Sequence, residues 1–455
     1  MSTTAFTRLA TANTYDNTLR NLQTRQTTLS NLQESLTSGK KVTNAADDPT
    51  GAAQAERAMN RIARIATDQR ALESQRNAIA LAESTLGNVT DALQNFRELV
   101  VASGNGAYTA PERATIARQL SGMREQILAL ANTKDSNGLP LFAALGSALA
   151  PFVGPQSVAP DYTFNGLPGQ SASDQYAIPF TLDGEAAFMN QPARDGVFNV
   201  TVGNTTTGSI PTSRALTTDG VVVSNTATVA STAALAQATA GNPDYPSYTV
   251  TFTALDSTTV PGTTTVTYDI TEVPAVSGPS PLVSGATASY ATGGNARIAI
   301  TGIPGLSFNI NGIAPTTDLV AGATVTGSPA VGDTVSVGFK RSVFSVLDTA
   351  IDGIGKAANA NAATQAVAQA LHNIDISLTR ISSVRGQAGD LLGRADRITS
   401  DNDKRNIEQE GNRSRAEDLD MIKGISDFQN QQTGYSAALQ SYAQVQKLSL
   451  FNFIS

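Results

Sequence analysis

Residues 79–100 read IALAESTLGNVTDALQNFRELV, and the spacing of their apolar members decides the fold class. Ile79, Ala82, Leu86, Val89, Leu93, Phe96 and Val100 follow alternating steps of three and four. Those steps keep a single narrow edge of a helix apolar, turn after turn. Ile65 and Leu72 carry the stripe backwards by whole heptads. The pattern predicts a coiled-coil seam rather than a general amphipathic face. One helix over Ala52–Ala102 would run about 75 Å at ~1.5 Å per residue. Ordinary globular helices average roughly 11–12 residues, so a rod is expected here.

The flanks supply starts and stops. Asp48 followed by Pro49 predicts an N-cap with proline in the first turn. Gly104-Asn105-Gly106 tolerates positive φ and should end the helix. Thr109-Ala110-Pro111-Glu112 opens another with a capping-box pattern, so Thr109 and Glu112 join Asp48 and Pro49 as cap residues. Its stripe is Ile116, Leu120, Met123, Ile127 and Leu130, and Asp135-Ser136-Asn137-Gly138 closes it with a turn. Upstream, Leu22, Leu29 and Leu36 repeat every seven residues, flanked by Leu19 and Leu32. Helical stripes return at Phe344, Leu347, Ile351 and Ile354, then at Val367, Leu371, Ile374, Leu378 and Ile381. The second continues through Ala388, Leu392 and Ala395. A last helix carries Met421, Ile425, Phe428, Tyr435, Leu439 and Tyr442.

Between these ends the composition changes. From Pro151 to Gly332 there are eleven Asp/Glu, three Arg and no Lys, a net of −8 in a chain of net −7. Gly, Thr, Ser, Val and Pro dominate, with alternating runs at 248–252 and 264–268 and shorter ones at 298–300 and 308–310. These predict short half-buried strands of an antiparallel sandwich or an irregular β domain. Ala227–Ala240 reads either as a short helix or as an alanine-rich loop. A further strand is expected at Thr334–Val337. The fold class is therefore α+β: a long antiparallel coiled-coil helical rod, built from the N- and C-terminal segments, with an inserted mostly-β domain. The expected divisions are 1–46 (N-terminal axial helix), 47–150 and 333–412 (the two parts of the rod), 151–332 (the β insert) and 413–455 (C-terminal axial helix).

Composition narrows function by exclusion. Among 455 residues there is no Cys and one His, His372, so metal sites and nucleophile pairs built on Cys–His clusters are excluded. No disulfide can form. The acidic balance argues against nucleic acid as a partner. No apolar run approaches the ~18 residues of a membrane span. Met1–Asn13 has one Arg and no apolar core, so no cleavable secretory signal of the usual kind is expected.

Each candidate chemical site has a plainer reading. Asp47-Asp48 resembles a metal-binding carboxylate pair, but a cap and a favourable charge at the helix's positive end explain it. Asp135-x-Asn137-Gly138 opens like a calcium loop, yet apolar Leu139-Pro140-Leu141-Phe142 follows where oxygen ligands are needed. Gly104-Asn105-Gly106 lacks the strand and Lys of a phosphate loop. Lys40, Lys41, Arg57, Arg61, Arg64 and Arg70 suit the charged flanks of a seam. His372 has no evident catalytic company. No enzyme, cofactor or metal is expected. The unusual feature is the end of the chain, where Leu448, Leu450, Phe451, Phe453 and Ile454 crowd a terminus. Chain ends are ordinarily polar and frayed, so these residues are expected to be covered by a partner, a chaperone or the chain's own N-terminal helix.

Ser35-Leu36-Thr37-Ser38-Gly39-Lys40-Lys41-Val42-Thr43-Asn44-Ala45-Ala46-Asp47-Asp48-Pro49 resembles the segment joining the axial helix to the rod in bacterial flagellins and their hook–filament junction relatives. Within that family, Asp-Asp-Pro is nearer the junction branch than flagellin, where Asp-Asp-Ala is usual. Ala131–Gly138 followed by Leu141-Phe142-Ala143, and the ending Leu448-Ser449-Leu450-Phe451, are similar to the same branch. Pro140 and Ala144 depart from its pattern, and Met1–Thr7 reads as an extension. The resemblance covers 8–144 and 333–455.

It implies an extracellular structural subunit of the flagellum, exported unfolded through the flagellar type III apparatus. A ring of its own copies would join an adjacent hook-associated protein to flagellin, with an export chaperone beforehand. The subunit interface is expected at Leu22, Leu29, Leu36, Leu439, Tyr442, Leu450 and Phe451. Two other readings stay open: a filament-forming flagellin, and a surface module whose middle domain binds a glycan or host surface.

Overall fold

The computed structural model describes residues 3–157, 160–169, 171–172, 175–210, 215–240, 245–313 and 329–454, with side chains from 16 to 444 apart from 240. Helices α1 (Thr3–Ser38), α2 (Pro49–Ser103) and α3 (Ala110–Ala131) come first. Short strands β1 (Phe152–Val153) and β2 (Thr163–Phe164) and single-turn helices α4 (Gly184–Phe188) and α5 (Pro192–Asp195) follow. Next are β3 (Phe198–Asn204), β4 (Leu216–Thr218), β5 (Val222–Val223) and α6 (Thr226–Ala240). Strands β6 (Ser247–Asp256), β7 (Thr263–Val273), β8 (Val283–Ala291), β9 (Asn295–Ile300), β10 (Leu306–Ile313) and β11 (Asp333–Phe339) follow. Helices α7 (Val343–Gly355), α8 (Ala360–Glu417) and α9 (Met421–Ile454) return. The architecture is the expected α+β arrangement, with an antiparallel sheet domain between long helical ends. The alanine-rich stretch that the sequence left open is helix α6.

The chain divides into two compact units, Met1–Ala71 with Asp396–Ser455, and Leu72–Ala395. Helices α2 and α8 contribute to both.

In the second unit the seam is dry. Leu72, Ile79, Ala82, Leu86, Val89, Leu93, Phe96 and Val100 are all buried. Ion pairs on the seam's flanks set α2 and α8 antiparallel: Arg385 Nε to Glu83 Oε1 at 2.6 Å and Arg97 Nε to Asp375 Oδ1 at 2.7 Å. Both pairs are largely solvated, so each contributes no more than ~1 kcal/mol. Beside them, α3 and α7 close over an aromatic cluster of Phe142, Phe152, Tyr162, Phe188 and Phe344. Within it the ring centroids of Phe344 stand 5.2–5.7 Å from those of three neighbours. Arg124 Nε lies 3.1 Å from Asp348 Oδ1, and the Tyr162 hydroxyl donates to the same carboxylate at 2.5 Å. Burial pushes the Asp348 carboxyl up, against the pull of that hydroxyl and of Arg124.

Apart from the small sheet β1-β2, residues 198–339 form two antiparallel sheets over a shared core. One has the order β3-β11-β6-β7-β8; in the other, β10 pairs with β9 along one edge and with β4 and β5 along the other. Alternation does what the pattern predicts. Strand β7 turns Val266, Tyr268 and Ile270 inward and Thr265, Thr267 and Asp269 outward. They meet Tyr248, Val250, Phe252, Ile298, Ile300 and Ile310 in that core. Glu272 is buried at the end of the β7 stripe. Burial would raise its pKa, but the Ser277 hydroxyl and N–H, the Tyr248 hydroxyl and the Val276 N–H hold it below its usual range.

Helix α8 corrects one reading of the sequence. Leu371 and Leu378, seam positions by spacing, are half-buried. Buried instead are polar Gln365, Gln369, Asn373, Ser377 and Arg380 on a second face. Gln365 Oε1 accepts from the Thr218 N–H at 2.9 Å, and its Nε2 donates to the Thr218 hydroxyl at 2.6 Å. Gln369 Nε2 donates to the Asp219 carbonyl at 3.2 Å. The insert thus rests on α8 through backbone groups that β4 does not satisfy, and only polar side chains can answer those. Gln365→Leu should cost about 1–3 kcal/mol, because the Thr218 N–H loses its acceptor without reaching water. Urea unfolding checks this, and a shift below roughly 0.5 kcal/mol would remove the role assigned to Gln365. His372 follows from the same packing. Its ring lies so close to Gly220 that a Cβ there would come within 2.7 Å of it.

Candidate functional site: the terminal helix pair

In the first unit, the linker between α1 and α2 ties itself down. Asp47 Oδ2 accepts from the Asn44 N–H at 2.8 Å and the Thr43 hydroxyl at 3.0 Å. Asp48 Oδ1 accepts from the Thr50 and Gly51 N–H groups at 3.1 and 2.9 Å and from the Thr50 hydroxyl at 2.6 Å. Pro49 takes the first helical position, where no N–H is needed. These bonds hold both carboxyls below their ordinary pKa, led by the Asn44 N–H at Asp47 and the Thr50 hydroxyl at Asp48. Both aspartates are thus engaged by their own loop and helix start. At the other cap, Glu112 Oε2 accepts from the Thr109 N–H at 2.7 Å and the Thr109 hydroxyl at 2.8 Å, which lowers its pKa.

The basic residues of the linker meet the end of α8. Lys40 pairs with Glu417, and Lys41 Nζ donates to the Arg415 carbonyl at 2.7 Å. Lys41 N–H bonds the Glu417 carbonyl at 2.8 Å, and Leu419 N–H bonds the Gly39 carbonyl at 2.9 Å. Cations and donors at a helix C-terminus satisfy carbonyls that lack intrahelical partners. Gly39 carries the positive φ, +72°, that ends α1. Gly51 lets the two helices close: a Cβ there would stand 3.1 Å from the Ala416 carbonyl.

Above this knot, α1 and α9 run antiparallel. Gly424 packs on Leu36, and Gly434 packs on Arg25. In that register Leu22 falls level with about residue 438, which brings Leu439 and Tyr442 to the same end of the pair. The pairing covers little. Among the described side chains of α1, Leu22 alone is buried, while Leu29 and Leu36 are half-buried. In α9, Tyr442 is half-buried and Leu439 is 42% exposed. Met421, Ile422 and Ile425 face solvent as well, Ile422 at 85% exposure. Leu450 and Phe451 lie outside the described side chains. Thr24, Thr27, Thr28 and Thr37 return their hydroxyls to the carbonyl four residues back, a habit that weakens a helix rather than supporting it. Two weak helices with an uncovered apolar face gain stability from further packing. Sequence spacing pointed to Leu439 and Tyr442, but Ile422, next to Met421 at the start of α9, escaped it.

Among the described residues there is no helix long and apolar enough to cross a membrane, and no cluster of His, Asp or Glu with metal-ligand geometry.

Residues 9–146 match the family described as the bacterial flagellin N-terminal helical region. The flagellar hook-associated protein 3 of Salmonella typhimurium strain LT2 is 34% identical over 153 residues, 32% of this chain and 46% of that protein. The chain thus spans about half the length of the curated relatives it matches. In the crystal structure of flagellar hook-associated protein-3 from Legionella pneumophila, 97% of the chain superposes on 78% of this one, with TM-score 0.55 and 24% identity. The Xanthomonas campestris FlgL structure superposes over 99% of its length and 79% of this chain, with TM-score 0.52 and 21% identity. Residues 9–146 are thus similar to the bacterial flagellin N-terminal helical region, and the fold is similar to that of these two solved structures.

Proposed function

We propose that this protein is an extracellular structural subunit of the bacterial flagellum. In this reading it joins the hook region to the flagellin filament through axial packing of its terminal helices. The observation that carries the reading is the exposed apolar side chains of α9, Met421, Ile422, Ile425 and Leu439, beside an α1 whose leucines are mostly half-buried. The segments 1–46 and 413–455 act as the axial helices, with Leu22, Leu29, Leu36, Leu439, Tyr442, Leu450 and Phe451 in the subunit interface. Its neighbours are copies of itself in a ring, an adjacent hook-associated protein on one side and flagellin on the other. An export chaperone covers the apolar end beforehand. No catalytic step enters this role. The hook-associated name of the Salmonella relative supports the junction reading.

Ile422→Asp separates assembly from folding. At 85% exposure the side chain contributes little within the chain, so stability should change by less than ~0.5 kcal/mol. Incorporation into flagella, followed by immunoblot of sheared filaments and hook ends, should fall sharply. Normal incorporation of this variant would remove α9 from the interface.

A further inference from the structure

Within the first unit, α2 and α8 pair antiparallel through polar side chains. Gln69 Nε2 donates to the Thr399 hydroxyl at 3.0 Å, Asn402 Nδ2 donates to Gln69 Oε1 at 3.2 Å, and Arg61 Nη1 donates to Gln409 Oε1 at 3.4 Å. One flank of this pair is a groove of about 450 Å3. Ala58 and Ala416 lie buried in its floor. Arg57, Arg61 and Arg415 stand exposed on its walls. Arg64, seven residues beyond Arg57, continues the same edge of α2. Among the described residues neither Arg57 nor Arg64 forms an ion pair. Arg415 Nη2 donates to the neutral Asn412 Oδ1 at 2.5 Å. On the same flank of α8, Asp401 is taken by Lys404 at 3.2 Å, and Glu408 pairs with none of these arginines.

The other flank of α8 carries the opposite chemistry. Asp403, Ile407 and Glu410 share an edge roughly 140° round the helix from Asn412 and Arg415. Ile407 is 70% exposed, between two exposed carboxylates that form no ion pair among the described residues. An apolar knob framed by acids on one flank thus faces away from a small-floored groove framed by arginines on the other. The spacings match as well. Arg57 and Arg64 are seven residues apart, and so are Asp403 and Glu410. In the register of the Arg61–Gln409 bond, Glu410 lies level with about residue 60 and Asp403 with about residue 67. A neighbour at nearly the same height would therefore set Glu410 beside Arg57 and Asp403 beside Arg64. Both pairs need one common slip of about three residues, ~4.5 Å along the helix.

We propose that the groove receives a second copy of this chain, with the Asp403-Ile407-Glu410 edge of one copy seated between Arg57, Arg61 and Arg415 of the next. This rests on the ring of copies proposed above and names the surface that joins them. Like charges keep each flank from pairing with itself, so the contact is heterologous, and such contacts close into rings when the rotation permits. The charges set partner and register, and the isoleucine fills the groove. Two single-cysteine full chains test it, one with Arg57→Cys and one with Glu410→Cys; the sequence has no other thiol. Both positions are exposed, so the unfolding midpoint should not move. Mixed and gently oxidised at low salt, they should form the mixed dimer at least about tenfold faster than either forms its own dimer. Disulfide trapping registers such encounters even between chains that are single at equilibrium. Adding Arg64→Glu to the first chain should slow the mixed dimer to the rate of the like dimers, and adding Asp403→Arg to the second should restore it. At ~1 M salt, where the screening length is about 3 Å, the preference should vanish. Equal rates for mixed and like dimers, no effect of Arg64→Glu, or no rescue by Asp403→Arg would each overturn the contact. The assay uses purified chain alone, so its failure leaves the axial role of α1 and α9 standing. Normal incorporation of Ile422→Asp would strike that role and leave this contact in place.

Discussion

Deleting Leu448–Ser455 should leave Leu72–Ala395 folded and, on the proposed role, abolish incorporation into the flagellum. The deleted stretch carries five large apolar side chains in eight residues, at the end of a helix whose preceding turns leave Leu439 exposed. Its removal takes no residue from the dry seam or from the β core. Far-ultraviolet circular dichroism should keep the sheet signal and most of the helix signal. Motility on soft agar should be lost, with hooks that carry no filament. Wild-type swimming by the deletion strain would mean that these residues are not part of the joint.

Phe344→Ala should be the most damaging single substitution in the compact unit Leu72–Ala395. Phe344 is fully buried, and its ring stands 5.6 Å from Phe152, 5.2 Å from Tyr162 and 5.7 Å from Phe188. Removing it strips transfer energy and opens a void between α7 and the short segments around β1 and α4. Those segments are too short to collapse into it independently. A loss of about 3–5 kcal/mol is expected, seen as a lower urea midpoint with little change in slope. A loss below ~1 kcal/mol would show that the aromatic cluster is peripheral to this unit rather than its centre.

The parts legible in the sequence are those where one local rule settles the outcome. Ile79 to Val100 repeats at three and four, and every member of that stripe is buried. The period-two runs around Val250 and Val266 became strands because each has one wet and one dry face. Asp48 ends up bonded to the first-turn N–H groups of α2, a relation fixed within four residues.

What remained hidden depends on distant partners. Gln365, Gln369 and Arg380 look like solvent positions on α8, yet they are buried against backbone groups of 187–219. A polar residue shows no burial signal until its partner is known. Likewise α4, β4 and β5 are too short for any periodicity. In the terminal pair, spacing pointed to leucines without saying which face stays open. Ile422 broke no pattern, so nothing in the heptads distinguished it.

The central claim is that α1 and α9 present a surface completed by other flagellar subunits. Electron microscopy of the purified chain, incubated alone and then with filaments and hook components, addresses it most directly. The junction reading predicts particles that remain single on their own and decorate filament or hook ends when these are supplied. Long self-assembled filaments would instead identify a flagellin. Particles that bind to neither end would contradict the assembly role of the terminal helices altogether.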